Sequence, residues 1–118
     1  MTRFLLVCLA GALGSGMRYA FTVWFDKWGV LGVNVIGSFL IAAVAVIATA
    51  RAGMSDTTRI VLTAGFLGGF TTYSSFNQQA LAFLDAKAWV DAAVYILATL
   101  IGCLIAGAAG TMAARRFW

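Results

Sequence analysis

The chain has 118 residues, of which 63% are hydrophobic and 10% are charged, and its mean hydropathy is +0.96. Ordinary soluble domains do not have this balance, so the sequence predicts an all-α membrane protein with one domain, residues 1–118. The net charge of +4 comes from Lys and Arg near the ends of apolar segments, where interfacial anchoring accounts for them. Nucleic-acid binding is therefore not indicated.

Four apolar segments are each long enough to cross a bilayer as a helix. They cover about 4–25, 29–50, 60–84 and 89–113. The first is not read as a cleaved signal peptide, because its apolar run continues past Ala12 to Trp24. An even number of spans places both termini on one side, and so small a bundle has little interior of its own. We therefore expect it to oligomerise.

The positive charges are divided almost evenly between the two predicted sides of the membrane. The side with the termini has Arg3, Arg51, Arg59, Arg115 and Arg116; the other side has Lys27 and Lys87, and also Arg18 if that residue lies near the interface. Because an excess of Lys and Arg marks the cytoplasmic side, so weak a bias leaves both orientations open. Tryptophans near the segment ends, including Trp118, are typical of an aromatic belt.

The stretch Gly65–Gln79 brings polar residues into the middle of the third apolar segment. The pair Gly68 and Gly69 is followed by two threonines and two serines between positions 71 and 75. Small residues alone indicate close helix packing, but a weakened helix with so many hydroxyls needs protein or water around its backbone. We therefore predict that the third helix breaks near Gly68 and Gly69 and forms a functional site.

Other polar residues recur at helical spacing in the second and fourth segments. Asn34 and Ser38 share one helix face, which suits either a pathway or a hydrogen bond between helices. In the fourth segment a stripe of polar tips is predicted to form a pathway wall, although Tyr and Thr can also satisfy each other; it consists of Tyr95, Thr99 and Cys103. A stripe of small residues beside it is predicted to be a packing seam; it consists of Ala98, Gly102, Ala106 and Gly110.

The chemistry available to the chain is narrow. It has no histidine, and Cys8 and Cys103 lie on separate segments. Catalysis, metal ligation and redox chemistry by side chains are therefore not supported. Both cysteines are expected to be buried small residues. The four acidic residues are predicted at segment ends or in loops, which argues against proton coupling; they are Asp26, Asp56, Asp85 and Asp91. The predicted interior offers hydrogen-bond donors, and these suit an anion.

Three motifs carry a resemblance to a known family. They are Gly-Gly-Phe-Thr-Thr-Tyr-Ser-Ser-Phe at 68–76, the setting of Asn34 at 32–38, and Gly-Ser-Gly-Met-Arg-Tyr at 14–19. With the length and the four segments, they resemble the CrcB/Fluc family of fluoride channels over nearly the whole chain. The resemblance implies a passive fluoride channel that lets the ion leave a bacterial cytoplasm through the inner membrane.

The family also implies an architecture and a site. The expected unit is an antiparallel, dual-topology homodimer with two fluoride pores, each lined by both subunits. A structural Na⁺ on the dimer axis would be held by the backbone carbonyls of Gly68 and Thr71 from each subunit. The fluoride pathway would be lined by Asn34, Tyr73, Ser74, Ser75, Phe76, Tyr95 and Thr99, with Cys103 at a position where a small polar residue is common.

Two positions depart from the family pattern, and other functions stay open. Tyr73 stands where Phe is usual, which leaves open whether a ring edge or a phenolic hydroxyl meets the ion, and Gln79 stands where an acid is frequent. The alternative function is a small dual-topology exporter of multidrug or guanidinium type, which the absence of an acid at membrane depth disfavours. A further alternative is an assembly subunit that transports nothing.

Overall fold

The computed structural model describes residues 1–50 and 53–117, without the side chain of Lys27. Arg51 and Trp118, which entered the charge count and the aromatic belt, lie outside the described residues. Regular structure in the described part is helical. Three long helices are α1 (Thr2–Phe25), α2 (Lys27–Thr49) and α6 (Trp89–Phe117). All three are long and apolar enough to cross a membrane; in α2 the apolar span begins at Trp28. Three of the four predicted spans therefore match continuous helices.

The third predicted span, 60–84, is made of several helical pieces. Its helical part begins with α3 (Asp56–Ile60), a π-helix (Val61–Leu67) and α4 (Gly68–Phe70). Two extended residues follow, and α5 (Tyr73–Asp85) completes the segment. The predicted interruption of the third span is therefore present.

The break lies near the glycine pair, as predicted, but begins two residues after it. Gly68 is helical, with φ −61° and ψ −35°, and the chain becomes extended only at Thr71 (φ −87°, ψ 157°) and Thr72 (φ −152°, ψ 122°). Gly69 serves packing, because a Cβ there would overlap the carbonyl oxygen of Gly11 on α1. Gly69 thus allows α4 to lie close to α1, and the chain becomes extended at the two threonines.

The long helices pack through small residues, as membrane helices commonly do. α2 packs along α6, where a Cβ on Gly110 would overlap the carbonyl oxygen of Phe39 and one on Gly102 would lie 3.4 Å from Val35. Ala106 of the same stripe is buried. The packing seam predicted on the fourth segment is confirmed at these three positions.

Two buried clusters lie on either side of the break, and α2 contributes to both. Val33 packs with Leu67 and Phe70, which precede the extended residues. Val30 packs with Phe76 and other residues that follow them. Because both ends of the broken segment are fixed to α2, the break lies directly beside that helix.

The cysteines differ from their predicted burial. Cys8 is exposed on α1, and Cys103 is half-buried on α6; both are free thiols. A polarisable thiol behaves as a small hydrophobe, so an outward position on an apolar membrane helix costs little. Large apolar side chains are also exposed on α1 and α6, such as Leu9, Leu13, Leu104 and Ile105. These faces suit lipid or a second copy of the chain.

Candidate functional site

Asn34 of α2 binds both backbone groups of Thr72 at the break. Its Nδ2 donates to the Thr72 carbonyl oxygen at 2.9 Å, and its Oδ1 accepts from the Thr72 amide at 2.8 Å. A carboxamide has both a donor and an acceptor, so one side chain satisfies both groups. Asn34 therefore supplies the partners that Thr72 needs away from water.

The hydroxyl of Thr72 begins the second half of the segment. Its Oγ1 accepts from the amide of Ser75 at 3.2 Å, which caps the N-terminus of α5. The Ser74 hydroxyl lies 3.3 Å from the same oxygen. The side chain of Thr72 thus caps α5, while the backbone of Thr72 is bound by Asn34.

These two contacts withdraw donors from two carbonyl oxygens. In an uninterrupted α-helix the Thr72 amide would donate to Gly68 and the Ser75 amide to Thr71. Here the first donates to Asn34 and the second to Thr72 Oγ1. Gly68 and Thr71 are the residues whose carbonyls were expected to hold Na⁺, and both carbonyls have lost their helical donors. Backbone oxygens of this kind fit a hard monovalent cation.

A cavity of about 480 Å³ opens beside the break, between α2 and α6. Its surface is mostly apolar, but α2, the broken segment and α6 each contribute polar residues to the lining. The lining residues are Asn34, Ser38, Thr71, Thr72, Tyr73, Phe76, Thr99, Leu100, Cys103 and Leu104.

Four of the seven predicted pathway residues lie on this wall: Asn34, Tyr73, Phe76 and Thr99. Ser74, Ser75 and Tyr95 are not among the residues that line it. The assignment of all seven residues to the pathway stays a prediction, and for these three a second subunit would add surfaces that one chain lacks. Cys103, predicted on the same stripe as Thr99, does line the cavity.

Tyr95 lies behind the cavity wall, where it supports Phe76. Its side chain is 1% exposed and its ring centroid lies 5.5 Å from that of Phe76. The hydroxyl donates to Gln79 Oε1 at 2.5 Å, which joins α6 to α5. In the sequence Gln79 stands out only as a departure from the family pattern, and no pattern pairs it with Tyr95.

Three lining hydroxyls donate their protons to their own helices. Ser38 Oγ donates to the Asn34 carbonyl at 2.7 Å, Thr71 Oγ1 to the Leu67 carbonyl at 2.9 Å, and Thr99 Oγ1 to the Tyr95 carbonyl at 2.8 Å. A hydroxyl has one proton, so these groups present oxygen lone pairs to the cavity. The wall is therefore poorer in free donors than its composition suggests.

Comparison with known proteins gives the affiliation of the chain. Residues 5–111 match the family model described as CrcB-like protein, Camphor Resistance (CrcB). A protein from Anaeromyxobacter sp. (strain K) named "Fluoride-specific ion channel FluC" is 46% identical, over 98% of this chain and 97% of its own length. A protein of the same name from Sorangium cellulosum (strain So ce56) is 41% identical, over 98% of this chain and 97% of its own length. Another from Geobacter sulfurreducens is 39% identical, over 98% of this chain and 99% of its own length.

These relatives are bacterial and are named as ion channels, which are membrane proteins and not enzymes. The family match spans the three apolar helices, the break and the cavity together. The chain belongs to the CrcB-like family, the CrcB/Fluc family of multi-pass membrane proteins.

Proposed function

We propose that this chain forms a passive, fluoride-selective ion channel that lets fluoride leave a bacterial cytoplasm through the inner membrane. One observation supports this above all: Asn34 and Thr72 hold a helix break in the third apolar segment beside a largely apolar cavity whose lining includes several polar side chains. Irregular backbone at membrane depth is expected only where it is buried or lines a wet path. The relatives named as fluoride channels point to the ion.

A fluoride pore must compensate the ion for the loss of its hydration water. Fluoride is small and strongly hydrated, so the pathway must replace its water with donors that still release it. The N-terminus of α5 faces the break and adds a partial positive charge there. The edge of the Phe76 ring carries positive partial charge that an anion can approach.

The proposed working unit is an antiparallel homodimer with two pores, each lined by both subunits, and with four membrane-crossing segments in each chain. Tyr73 lies on the cavity wall, yet it is 75% exposed in one chain. A second subunit would supply the missing wall. The exposed apolar faces of α1 and α6 offer area for such a contact, and the weak charge bias suits insertion in both orientations.

A structural Na⁺ on the dimer axis is part of the same proposal. The carbonyls of Gly68 and Thr71, whose helical donors are engaged elsewhere, would hold it from both subunits. Its positive charge would favour anions in the flanking pores. Among the described residues no group of three or more His, Cys, Asp or Glu could hold a metal, so backbone oxygens are the ligands proposed.

The aspartates give no support to the alternative of a proton-coupled cation exporter. Asp26 separates α1 from α2, Asp56 begins α3, Asp85 ends α5, and Asp91 lies in the first turn of α6. A cation pathway would need acids near the membrane centre.

Fluoride efflux from liposomes containing the purified protein tests the function. We expect rapid electrogenic efflux of fluoride, measured with a fluoride electrode in the presence of a potassium ionophore, and little chloride efflux under the same gradient. Empty liposomes are the control. Efflux of chloride as fast as fluoride, or no fluoride efflux, would contradict the proposal.

A further inference from the structure

We propose that the phenolic hydroxyl of Tyr73 donates a hydrogen bond to the permeating anion, so that this side chain acts through its O–H and not only through its ring edge. The inference rests on the proposed channel function and goes beyond it by assigning the donor. It concerns a residue at which this chain departs from the family pattern.

Most hydrogen-bond donors among the side chains that line the cavity are already engaged within the protein. Ser38, Thr71 and Thr99 donate within their own helices, and Thr72 Oγ1 accepts from Ser75 and contacts Ser74. One of the two N–H groups of Asn34 donates to Thr72. The remaining side-chain donors of the lining are the other Asn34 N–H, the weak S–H of Cys103, the hydroxyl of Tyr73 and, when Ser74 donates to it, the hydroxyl of Thr72.

The Tyr73 hydroxyl is the strongest of these free donors. No hydrogen bond to it is found within residues 1–50 and 53–117, whereas the Tyr95 hydroxyl is committed to Gln79. A phenol O–H is a stronger hydrogen-bond donor than an amide N–H or the S–H of a thiol, and it binds best to a compact, basic anion. Fluoride matches that description better than chloride does.

The backbone and the neighbouring ring fix the position of Tyr73. It is the first residue of α5, directly after the capping Thr72, so its side chain starts at the break. Its ring meets that of Phe76 edge to face, with centroids 5.6 Å apart and planes at 66°. Because Phe76 is buried and packs against Tyr95, it gives the Tyr73 ring a firm support.

The depth of Tyr73 explains why its hydroxyl needs a polar partner. The residue lies near the middle of the apolar segment 60–84, where lipid offers no acceptor. With 75% of the side chain exposed, the partner must come from outside the described chain. A hydrated anion in the adjoining cavity provides an acceptor where hydrocarbon would leave the O–H unpaired.

Tyr73→Phe removes this O–H and keeps the ring. We expect fluoride efflux from liposomes to fall by about tenfold, the effect of losing one hydrogen bond to a charged group. Tyr19→Phe is the matched control, because Tyr19 is similarly exposed, at 71%, but lies on α1 away from the cavity. We expect that variant to conduct as the unmodified chain does.

The outcomes separate this inference from the proposed function. If the unmodified chain conducts fluoride and Tyr73→Phe conducts equally well, the hydroxyl has no role and the inference is overturned while the channel function stands. If Tyr73→Phe is near normal but Tyr73→Leu is inactive, the ring edge is the contact and the inference also fails. If the unmodified chain conducts no fluoride, the function itself fails.

A binding measurement keeps the test independent of variant folding. The chain has three tyrosines, so 3-fluorotyrosine labelling of the unmodified sequence gives three ¹⁹F signals that single Tyr→Phe variants assign. We expect NaF, but not equimolar NaCl, to shift the Tyr73 signal and leave that of Tyr19 in place. A Tyr73 signal that does not respond to NaF would overturn the inference.

Discussion

Asn34 and Thr72, 38 positions apart in the chain, exchange two hydrogen bonds in which one side chain satisfies both backbone groups of the other residue. The contact joins α2 to the point where the third segment changes direction. Asn34 therefore has a structural role, in addition to any contact that its second N–H makes with fluoride. Substitutions there should therefore affect the break and the pathway together.

Asn34→Asp should abolish fluoride flux while the dimer persists. The carboxylate can still accept from the Thr72 amide, but it cannot donate to the Thr72 carbonyl, and it places a negative charge on the proposed anion pathway. Repulsion at short range in a partly desolvated site should lower flux by more than about a hundredfold. Fluoride efflux and size-exclusion chromatography provide the two measurements.

Asn77→Asp is the matched control for this charge. Asn77 is exposed on α5 and does not line the cavity, so the same substitution there should change flux little. Normal flux in Asn34→Asp would assign Asn34 to packing and remove it from the pathway.

Gly69→Ala should destabilise the protein, whereas Gly16→Ala should not. A Cβ on Gly69 would overlap the carbonyl oxygen of Gly11 and lie 3.1 Å from the amide of Ser15, and a Cβ on Gly16 would meet nothing within 4 Å. Overpacking of this kind costs about 1–3 kcal/mol, while Gly→Ala in a free helical position adds up to about 1 kcal/mol of stability. Thermal unfolding in detergent measures both. Equal midpoints for the two variants would mean that α4 does not rest on α1 in this way.

The pair Tyr95 and Gln79 should couple in a double-mutant cycle of stability. Tyr95→Phe leaves Gln79 Oε1 without its donor, at a cost of about 1–3 kcal/mol. Once Gln79→Leu has removed the acceptor, the same change at Tyr95 should cost much less. Additive effects of the two substitutions would show that the hydrogen bond contributes nothing. Flux measured on the same variants separates a role in the pathway from support of Phe76.

Tags at either terminus should be found on both sides of the membrane in comparable amounts. The weak charge bias predicts this distribution, and two lysines added after Trp118 should skew it and reduce the number of active dimers. Accessibility of the tags in intact and permeabilised cells provides the measurement, with a protein of fixed orientation as control. A single orientation of the unmodified chain would contradict the antiparallel dimer.

Prolonged removal of Na⁺ should lower fluoride flux, and restoring Na⁺ should return it slowly. The carbonyls of Gly68 and Thr71 would then face one another without a cation, which is unfavourable away from water. A fluoride gradient should not drive ²²Na⁺ uptake, because the proposed ion is structural and is not cotransported. Full flux after exhaustive exchange into a large organic cation, together with an ion-free axis in an experimental structure, would defeat the proposal.

The sequence by itself determined the class of protein and most of its helices. Long apolar runs must bury their backbone groups in helices when lipid surrounds them, so α1, α2 and α6 could be predicted from composition alone. The small residues on α6 likewise predicted the seam against α2, since spacing by four places them on one face. The central motif indicated both the break and the family.

Tertiary structure decided where the break lies and what each polar group does. A glycine pair weakens a helix locally, but Gly68 and Gly69 stay helical, and at Gly69 the backbone of α1 leaves no room for a Cβ. The break moves to Thr72 because Asn34, distant in sequence, offers its backbone two hydrogen bonds. The side chain of Tyr95 points behind the cavity for a similar reason, since its acceptor is Gln79 on α5. Periodicity identifies the face of a helix, but the partner that a buried polar group finds depends on which helices meet.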